Sequence, residues 1–296
     1  MSGADILVVG DVMTDIIVRP DGPLVRGSDR AATIRPAPGG SGANQAAWLG
    51  HLGARVAFAG RVGAADAAAQ AADLRRHGVL PLLAPDADLP TGLLVTLLDR
   101  DGERSFFTDR GANLRLASAD LPDSLLDGVR LLHLSGYSLF TETPRAAVLA
   151  LAAAARRRGI AVTLDAASAG FLAEAGAAAF RAWTAGTETL FANADEVAVL
   201  TGAAEPVLQL AALAEHFPVV VLKRGADGAM ALQRGAAVLA EAAPPTVALD
   251  TTGAGDAFLA GFLHARLAGR SLESCLRAAV RLGAHAATLL GGRPPR

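Results

Sequence analysis

An α/β fold on a mostly parallel sheet is the expectation, and three features predict it. From residue 129 onward, short apolar runs alternate with helical patterns at βα spacing, which argues parallel strands joined by right-handed crossovers. The 296 residues are 52% hydrophobic, enough for one sizeable core with a small appendage. Two stretches outside that rhythm, 16–35 and 91–110, carry short strand signals and supply the appendage.

Ile6-Leu-Val-Val9 is a short apolar run ending at Gly10-Asp11, a buried strand opening into a loop. Pro20, Gly22, Pro23 and Gly27 break residues 16–35 into short strands on a surface flap. Gly39-Gly-Ser-Gly42 leads into a helix over 43–50. Val56–Ala59 reads as a strand, and 64–77 as a helix ended by Gly78. The 91–110 stretch alternates around Arg100-Asp-Gly102, a hairpin signal. Strands follow near 130–135, 160–165, 189–192 and 218–222, with helices near 142–158, 171–182, 194–201 and 206–215. A hairpin near 228–240 precedes two closing helices, 255–268 and 272–290. No repeat or low-complexity linker divides the chain, so a single domain over 1–296 is expected.

Composition narrows the function classes. A net charge of −2 gives no reason to expect nucleic acid. No run of about 18 apolar residues suggests a membrane span. The N-terminus enters Asp5–Gly10 without a basic region, so no signal peptide is expected. Cys275 stands alone, which excludes a disulfide within the chain and fits a cytoplasmic location. Lys223, the sole lysine, is followed by Arg224, so no P-loop exists. Gly10-Asp-Val-Met-Thr-Asp15 lacks the glycines of a dinucleotide fingerprint. The six histidines show no metallohydrolase spacing, and Ser41 lacks the final glycine of an esterase elbow.

In open α/β sheets ligands bind beyond the carboxyl ends of strands. The segment that meets this requirement best is Asp250-Thr-Thr-Gly-Ala-Gly-Asp256. Gly253 and Gly255 allow a sharp turn and close approach to a ligand, and a helix starts at once, so its free N–H groups form an anion site. A carboxylate there suits proton abstraction from a hydroxyl while the anion site steadies a transferred phosphoryl group. The plainer role for Asp256 is a first-turn helix carboxylate.

These residues carry a family resemblance. Asp250-Thr-Thr-Gly-Ala-Gly-Asp256-Ala-Phe-Leu-Ala-Gly-Phe262 resembles the C-terminal signature of the ribokinase-like (PfkB) carbohydrate and nucleoside kinases. Gly39-Gly-Ser-Gly-Ala-Asn44-Gln-Ala-Ala-Trp-Leu-Gly50, running on to Gly60-Arg-Val-Gly63, resembles the N-terminal one. The resemblance implies a three-layer αβα sandwich with a small β-sheet lid made from 16–35 and 91–110. It implies transfer of the γ-phosphoryl group of ATP to a hydroxyl of a sugar or sugar-like substrate.

It also implies residue roles. Asp256 becomes the general base, and the backbone of Gly253, Ala254 and Gly255 the anion hole. Gly40, Ser41, Gly42, Asn44 and Asp15 meet the acceptor. Asn193, Lys223, Gly225 and Gly228 meet the nucleotide together with Gly253 and Gly255. Glu196, in Asn193-Ala-Asp-Glu196, serves Mg²⁺ through water, as suits an ion that keeps its hydration; by composition alone it reads as a solvated helix residue. Asp250 and Thr252 match a monovalent-cation (K⁺) site whose carbonyl partners come from the turn around Ala287 and Gly291. Phe106, Phe107, Asp109, Arg110 and Asn113 either line the acceptor site, with Phe107 and Asn113 the candidates for contact, or form lid core. Lid strands with apolar faces suggest a homodimer.

The acceptor stays open. The loop Leu134–Tyr137 lacks the Glu of ribokinases proper, and Met13 stands where they carry Asn. Gly102-Glu-Arg104-Ser-Phe-Phe resembles lid strands of ketodeoxygluconate kinases, but Asp165-Ala-Ala-Ser168 lacks the Arg-containing continuation of that group. A nucleoside acceptor is a further alternative, and a catalytically silent sugar- or nucleotide-binding module is the alternative from another class.

Overall fold

The computed structural model describes residues 3–98 and 104–295. In chain order the elements are β1 (Ile6–Val9), β2 (Met13–Pro20), β3 (Ala32–Gly39), α1 (Ser41–His51), β4 (Val56–Gly63), α2 (Ala67–Arg76), β5 (Val79–Asp86), β6 (Thr91–Leu98) and β7 (Arg104–Gly111). Short 3-10 turns lead to β8 (Leu131–Ser135), α3 (Glu142–Arg157), β9 (Ala161–Asp165), α4 (Ala169–Ala175), α5 (Ala177–Trp183), β10 (Thr189–Asn193), α6 (Ala194–Thr201) and α7 (Pro206–Ala214). The chain closes with β11 (Val219–Lys223), β12 (Ala229–Gln233), β13 (Leu239–Glu241), α8 (Ala254–Leu267) and α9 (Leu272–Ala286).

The large sheet runs β13-β12-β11-β10-β9-β8-β1-β4-β5, with parallel pairing from β11 to β5 and an antiparallel β12–β13 edge. Its central strands are apolar on both faces, as a sheet covered on both sides requires. Leu7, Val9, Leu132, Leu134, Leu164 and Leu190 pack with residues of α3 to α7. Ile6, Val8, Phe58, Phe191 and Val221 pack with α1, α2, α8 and α9. The result is the expected αβα sandwich. The chain leaves β1 toward β4 on one side and returns to β8 on the other, so a crevice opens at the carboxyl end of β1. The lid is a second sheet, β3-β2-β6-β7, and only Gly10 to Val12 separate β1 from it.

Several expectations need correction. The lid strands are Met13–Pro20 and Ala32–Gly39 rather than short pieces of 16–35. The pairing begins at Met13↔Gly39, so the lid is rooted in the crevice itself. β5 is an element for which no expectation was stated; it carries Pro81 and Pro85 and lies at the sheet edge, where proline is tolerated. The helix expected at 171–182 breaks at Gly176 (φ 81) into α4 and α5. The last helix ends at Ala286, and the chain then turns back into the crevice. The expected hairpin turn at Arg100–Gly102 lies outside the described residues, although β6 and β7 do pair antiparallel. Among the described residues no single helix is long and apolar enough to cross a membrane.

Candidate active site

The first turn of α8 carries Asp256. Gly253 caps the helix in the left-handed region (φ 74), and a Cβ there would lie 2.5 Å from Gly292 Cα, so only glycine fits. The Ala254 N–H turns back to the Thr251 carbonyl (3.2 Å), whereas the Gly253 and Gly255 amides carry no hydrogen bond among the described residues. Of the three amides expected to form an anion hole, Gly253 and Gly255 keep theirs unpaired among the described residues, while Ala254 gives its own to the turn.

α1 arrives from the opposite side. Gly40 caps it with φ 89, and a Cβ would meet the Asp11 carbonyl at 2.5 Å. Gly42 packs on Gly10, where a Cβ would lie 2.8 Å from Gly10 Cα. These close approaches bring three side chains of α1 onto one carboxylate. Ser41 Oγ donates to Asp256 Oδ1 (2.7 Å), Gln45 Nε2 donates to the same oxygen (3.1 Å), and Asn44 Nδ2 donates to Oδ2 (3.1 Å). Loss of hydration pushes the Asp256 carboxyl up to about 7, against the pull of the Ser41 bond; Asp165 adds to the rise, while the Asn44 bond and the Lys223 charge oppose it.

Gln45 escaped the sequence reading, although it sits beside Asn44. Its Nε2 also donates to Asp165 Oδ2 (3.2 Å), so one amide ties two carboxylates together. Its Oε1 accepts from His133 Nε2 (3.1 Å), and Thr163 Oγ1 lies 2.9 Å from His133 Nδ1. Burial pushes His133 down to about 3, with Lys223 nearby. A neutral ring that donates from Nε2 fixes which end of Gln45 faces the carboxylates.

Of the residues expected to meet the nucleotide, Asn193, Lys223, Gly225, Gly228 and Gly255 lie around one cavity, and Gly253 is not part of its lining. Lys223 ends β11 and pairs with Asp165 Oδ1 at 2.6 Å. Asn193 caps α6 in a reciprocal capping box: Glu196 accepts from the Asn193 N–H (2.8 Å) and Nδ2 (2.9 Å), while Asn193 Oδ1 accepts from the Glu196 N–H (2.9 Å). Glu196 is buried, which overturns the solvated-residue reading, and burial pushes it up to about 7. Gly225 and Gly228 border a cavity of about 590 Å³, together with Lys223, Gly255 and the apolar wall of Ala243, Pro244, Val280 and Ala284.

Asp15, expected to meet the acceptor, is buried with Oδ1 lacking a partner among the described residues. Burial pushes its carboxyl up to about 6, with Arg293 pulling the other way. A Cβ on Gly39 would fall 2.0 Å from Asp15 Oδ1, so this glycine leaves room for the carboxylate.

Two acceptor candidates need correction. Asn113 spends its amide on backbone: Oδ1 accepts from the Val12 N–H, and Nδ2 donates to the carbonyls of Val12 and Arg110. It anchors the lid to the crevice, and both of its amide hydrogens are taken by carbonyls. Phe107 lies in the row Pro36–Ile16–Val95–Phe107, whereas Asp15 lies in Ala37–Asp15–Leu94–Thr108. Adjacent rows point to opposite faces, so Phe107 faces away from Asp15 and Phe106 shares its face. Both rings are exposed, so neither is lid core. Arg110 is held bidentately by Asp11 at 3.1 and 2.8 Å.

At the proposed cation loop, Asp250 Oδ1 accepts from the Thr252 N–H (2.9 Å) and Oδ2 from the Gly291 N–H (3.0 Å). The Ala287 carbonyl accepts from the amides of Leu249 and Asp250. Asp250 and Thr252 therefore close the C-terminal turn onto the start of α8.

The αβα sandwich, the smaller antiparallel sheet and the glycine-flanked carboxylate at the strand ends are the features expected of a sugar-type phosphotransferase. The chain matches the pfkB family carbohydrate kinase profile over residues 4–295 and belongs to that family, whose members transfer phosphate to an alcohol group. It is 30% identical to a ribokinase of Arabidopsis thaliana, covering 98% of this chain and 77% of the other. A fructokinase of Klebsiella pneumoniae is 31% identical, over 92% and 87%. The solved adenosine kinase from Sinorhizobium meliloti superposes with a TM-score of 0.89 at 25% identity, over 99% and 96%. Arabidopsis thaliana ribokinase complexed with ribose and ATP superposes with a TM-score of 0.79 at 26% identity, over 98% and 94%.

Proposed function

We propose that the chain transfers the γ-phosphoryl group of ATP to a hydroxymethyl-type hydroxyl of a sugar or sugar-like molecule, with Asp256 as general base. One observation carries this reading: Asp256 accepts hydrogen bonds from the side chains of α1 and directly follows Gly255, which lines the cavity of about 590 Å³ and whose amide has no partner among the described residues. The cavity would take ATP, with its apolar wall against the base and Lys223 beside the phosphates. The acceptor would lie between Asp15 and Asp256. Asp256 accepts the proton as the acceptor oxygen attacks, and the Gly253 and Gly255 amides stabilise charge on the transferred group.

We propose that Mg²⁺ accompanies ATP through water-mediated contacts, since no group of three His, Cys, Asp or Glu side chains among the described residues is placed to hold the ion directly. Asp165, Glu196 and Asp256 lie around Lys223, and both Glu196 oxygens already accept from Asn193, so Glu196 would meet the ion through water. Bound Mg²⁺ would neutralise phosphate charge. We also propose a homodimer through the outer lid face, where Ile16, Val18, Ile34, Leu93, Val95 and Phe107 share one side.

A second reading, a nucleoside acceptor, is favoured by Phe106. An exposed aromatic ring on the Asp15 face suits stacking on a base. An ADP-release screen over pentoses, hexoses, sugar acids, sugar phosphates and nucleosides separates these readings. Asp256→Asn should lower turnover on the order of 10³-fold with the melting temperature retained; near-normal turnover would sink the assignment.

A further inference from the structure

We propose that Arg293, in the C-terminal turn, is a positioning residue that orients the acceptor-reading groups Asn44, Gly39 and Asp15 as one unit. The inference rests on the reading that Asp15 and Asn44 face the acceptor.

The guanidinium is buried and forks three ways. Nη1 binds Asp73 Oδ2 on α2, Nη2 donates to the Gly39 carbonyl (3.2 Å), and Nε donates to Asn44 Oδ1 (3.3 Å). Each contact sets something the acceptor would meet. The bond to Asn44 Oδ1 determines which end of that amide faces Asp256, because the other end must then present Nδ2. The bond to Gly39 holds the last residue of β3 where the glycine makes room for the Asp15 carboxylate. The charge of Arg293 acts directly on Asp15, whose Oδ1 is left unpartnered for a hydroxyl.

The turn that carries Arg293 is itself held from several sides. Trp48 Nε1 donates to the Gly292 carbonyl (3.0 Å), and the Gly291 N–H donates to Asp250. Side chains at Gly253 or Gly292 would collide there: the Gly292 Cβ would sit 2.5 Å from Asn44 Nδ2. Asp73 balances the buried charge and is in turn held by Arg76. Such a pair is costly to break from one side, because the remaining charge stays buried. Lysine cannot replace the fork, since an ammonium offers no planar set of donors to three acceptors at once.

The test is steady-state kinetics of Arg293→Met and Arg293→Lys, using whichever of D-ribose, D-fructose and adenosine the wild type turns over fastest. The expected result for Arg293→Met is an acceptor KM raised by about tenfold or more, as loss of charged hydrogen bonds implies, with the ATP KM unchanged. Arg293→Lys keeps charge and bulk in case the Met variant folds poorly, and should fall between the two. Equal rises in both KM values, or an unchanged acceptor KM, would overturn the inference. A crystal structure of either variant decides the matter without an acceptor: Asn44 should release Asp256 or rotate, and Asn44 and Gly39 staying in place would refute the proposal. Asp15→Asn separates the underlying reading. An unchanged acceptor KM in that variant refutes the reading, whereas a raised one beside normal Arg293 variants refutes only the role of Arg293.

Discussion

Two helices begin at the same crevice, each on a glycine with positive φ: α1 after Gly40 and α8 after Gly253. They use their first turns differently. α1 offers side chains, with Ser41, Asn44 and Gln45 all aimed at Asp256. α8 offers bare backbone beside its one carboxylate, because glycines at 253 and 255 leave nothing to cover the amides. A hydroxyl-bearing acceptor needs directional donors and acceptors, which side chains supply. A phosphoryl group needs close approach to N–H groups, which only small residues allow.

Breaking the start of α8 should do the most damage. Gly253→Ala forces a Cβ into Gly292 and into the left-handed region, so a stability loss of about 3 kcal/mol is expected, read as a lower melting temperature, together with weakened ATP binding. The pH profile tests the meeting point of the two helices. Asp256 must be ionised to take a proton and is pushed up to about 7, so kcat/KM should fall about tenfold per unit as pH drops below that value. An ordinary aspartate would show no such limb there.

Gln45→Leu sharpens the comparison by cutting one side-chain donor to the charged carboxylate. Turnover should drop about tenfold and the acid limb should move upward, since the ionised form loses support. The lid separates two adjacent rings. Phe107→Asp should shift sedimentation toward monomer with acceptor KM intact, while Phe106→Ala should raise acceptor KM by about threefold. The smallest effect is expected at Asp250. Its oxygens and the Ala287 carbonyl hold the turn by accepting backbone N–H groups whichever cation is present, so exchanging K⁺ for Na⁺ should change turnover by less than about twofold.

Much of the site was legible because its signals are local. Glycines before a helix, a carboxylate in its first turn and an Asn-x-x-Glu box each act within a few residues. The rest depended on distance in the chain. Gln45 meets Asp256 across 211 positions, and Arg293 meets Asn44 across 249. Nothing near Arg293 in the sequence distinguishes it from a surface arginine. Phe106 and Phe107 were both visible as aromatics, but parity relative to Asp15 is set by pairing through β6, which no local pattern encodes. The edge position of β5, where its prolines are tolerated, is a property of the assembled sheet.

The amino-acid sequence by itself determined the βα rhythm, the absence of a P-loop and the glycine-flanked carboxylate, because periodicity and backbone freedom are properties of neighbouring residues. Only the tertiary structure decided that Asp256 loses hydration between two helices, that His133 and Gln45 orient its surroundings, and that the C-terminal turn reaches Asn44 and Gly39. Burial and long-range hydrogen bonds exist only once the sheet has brought strand ends together.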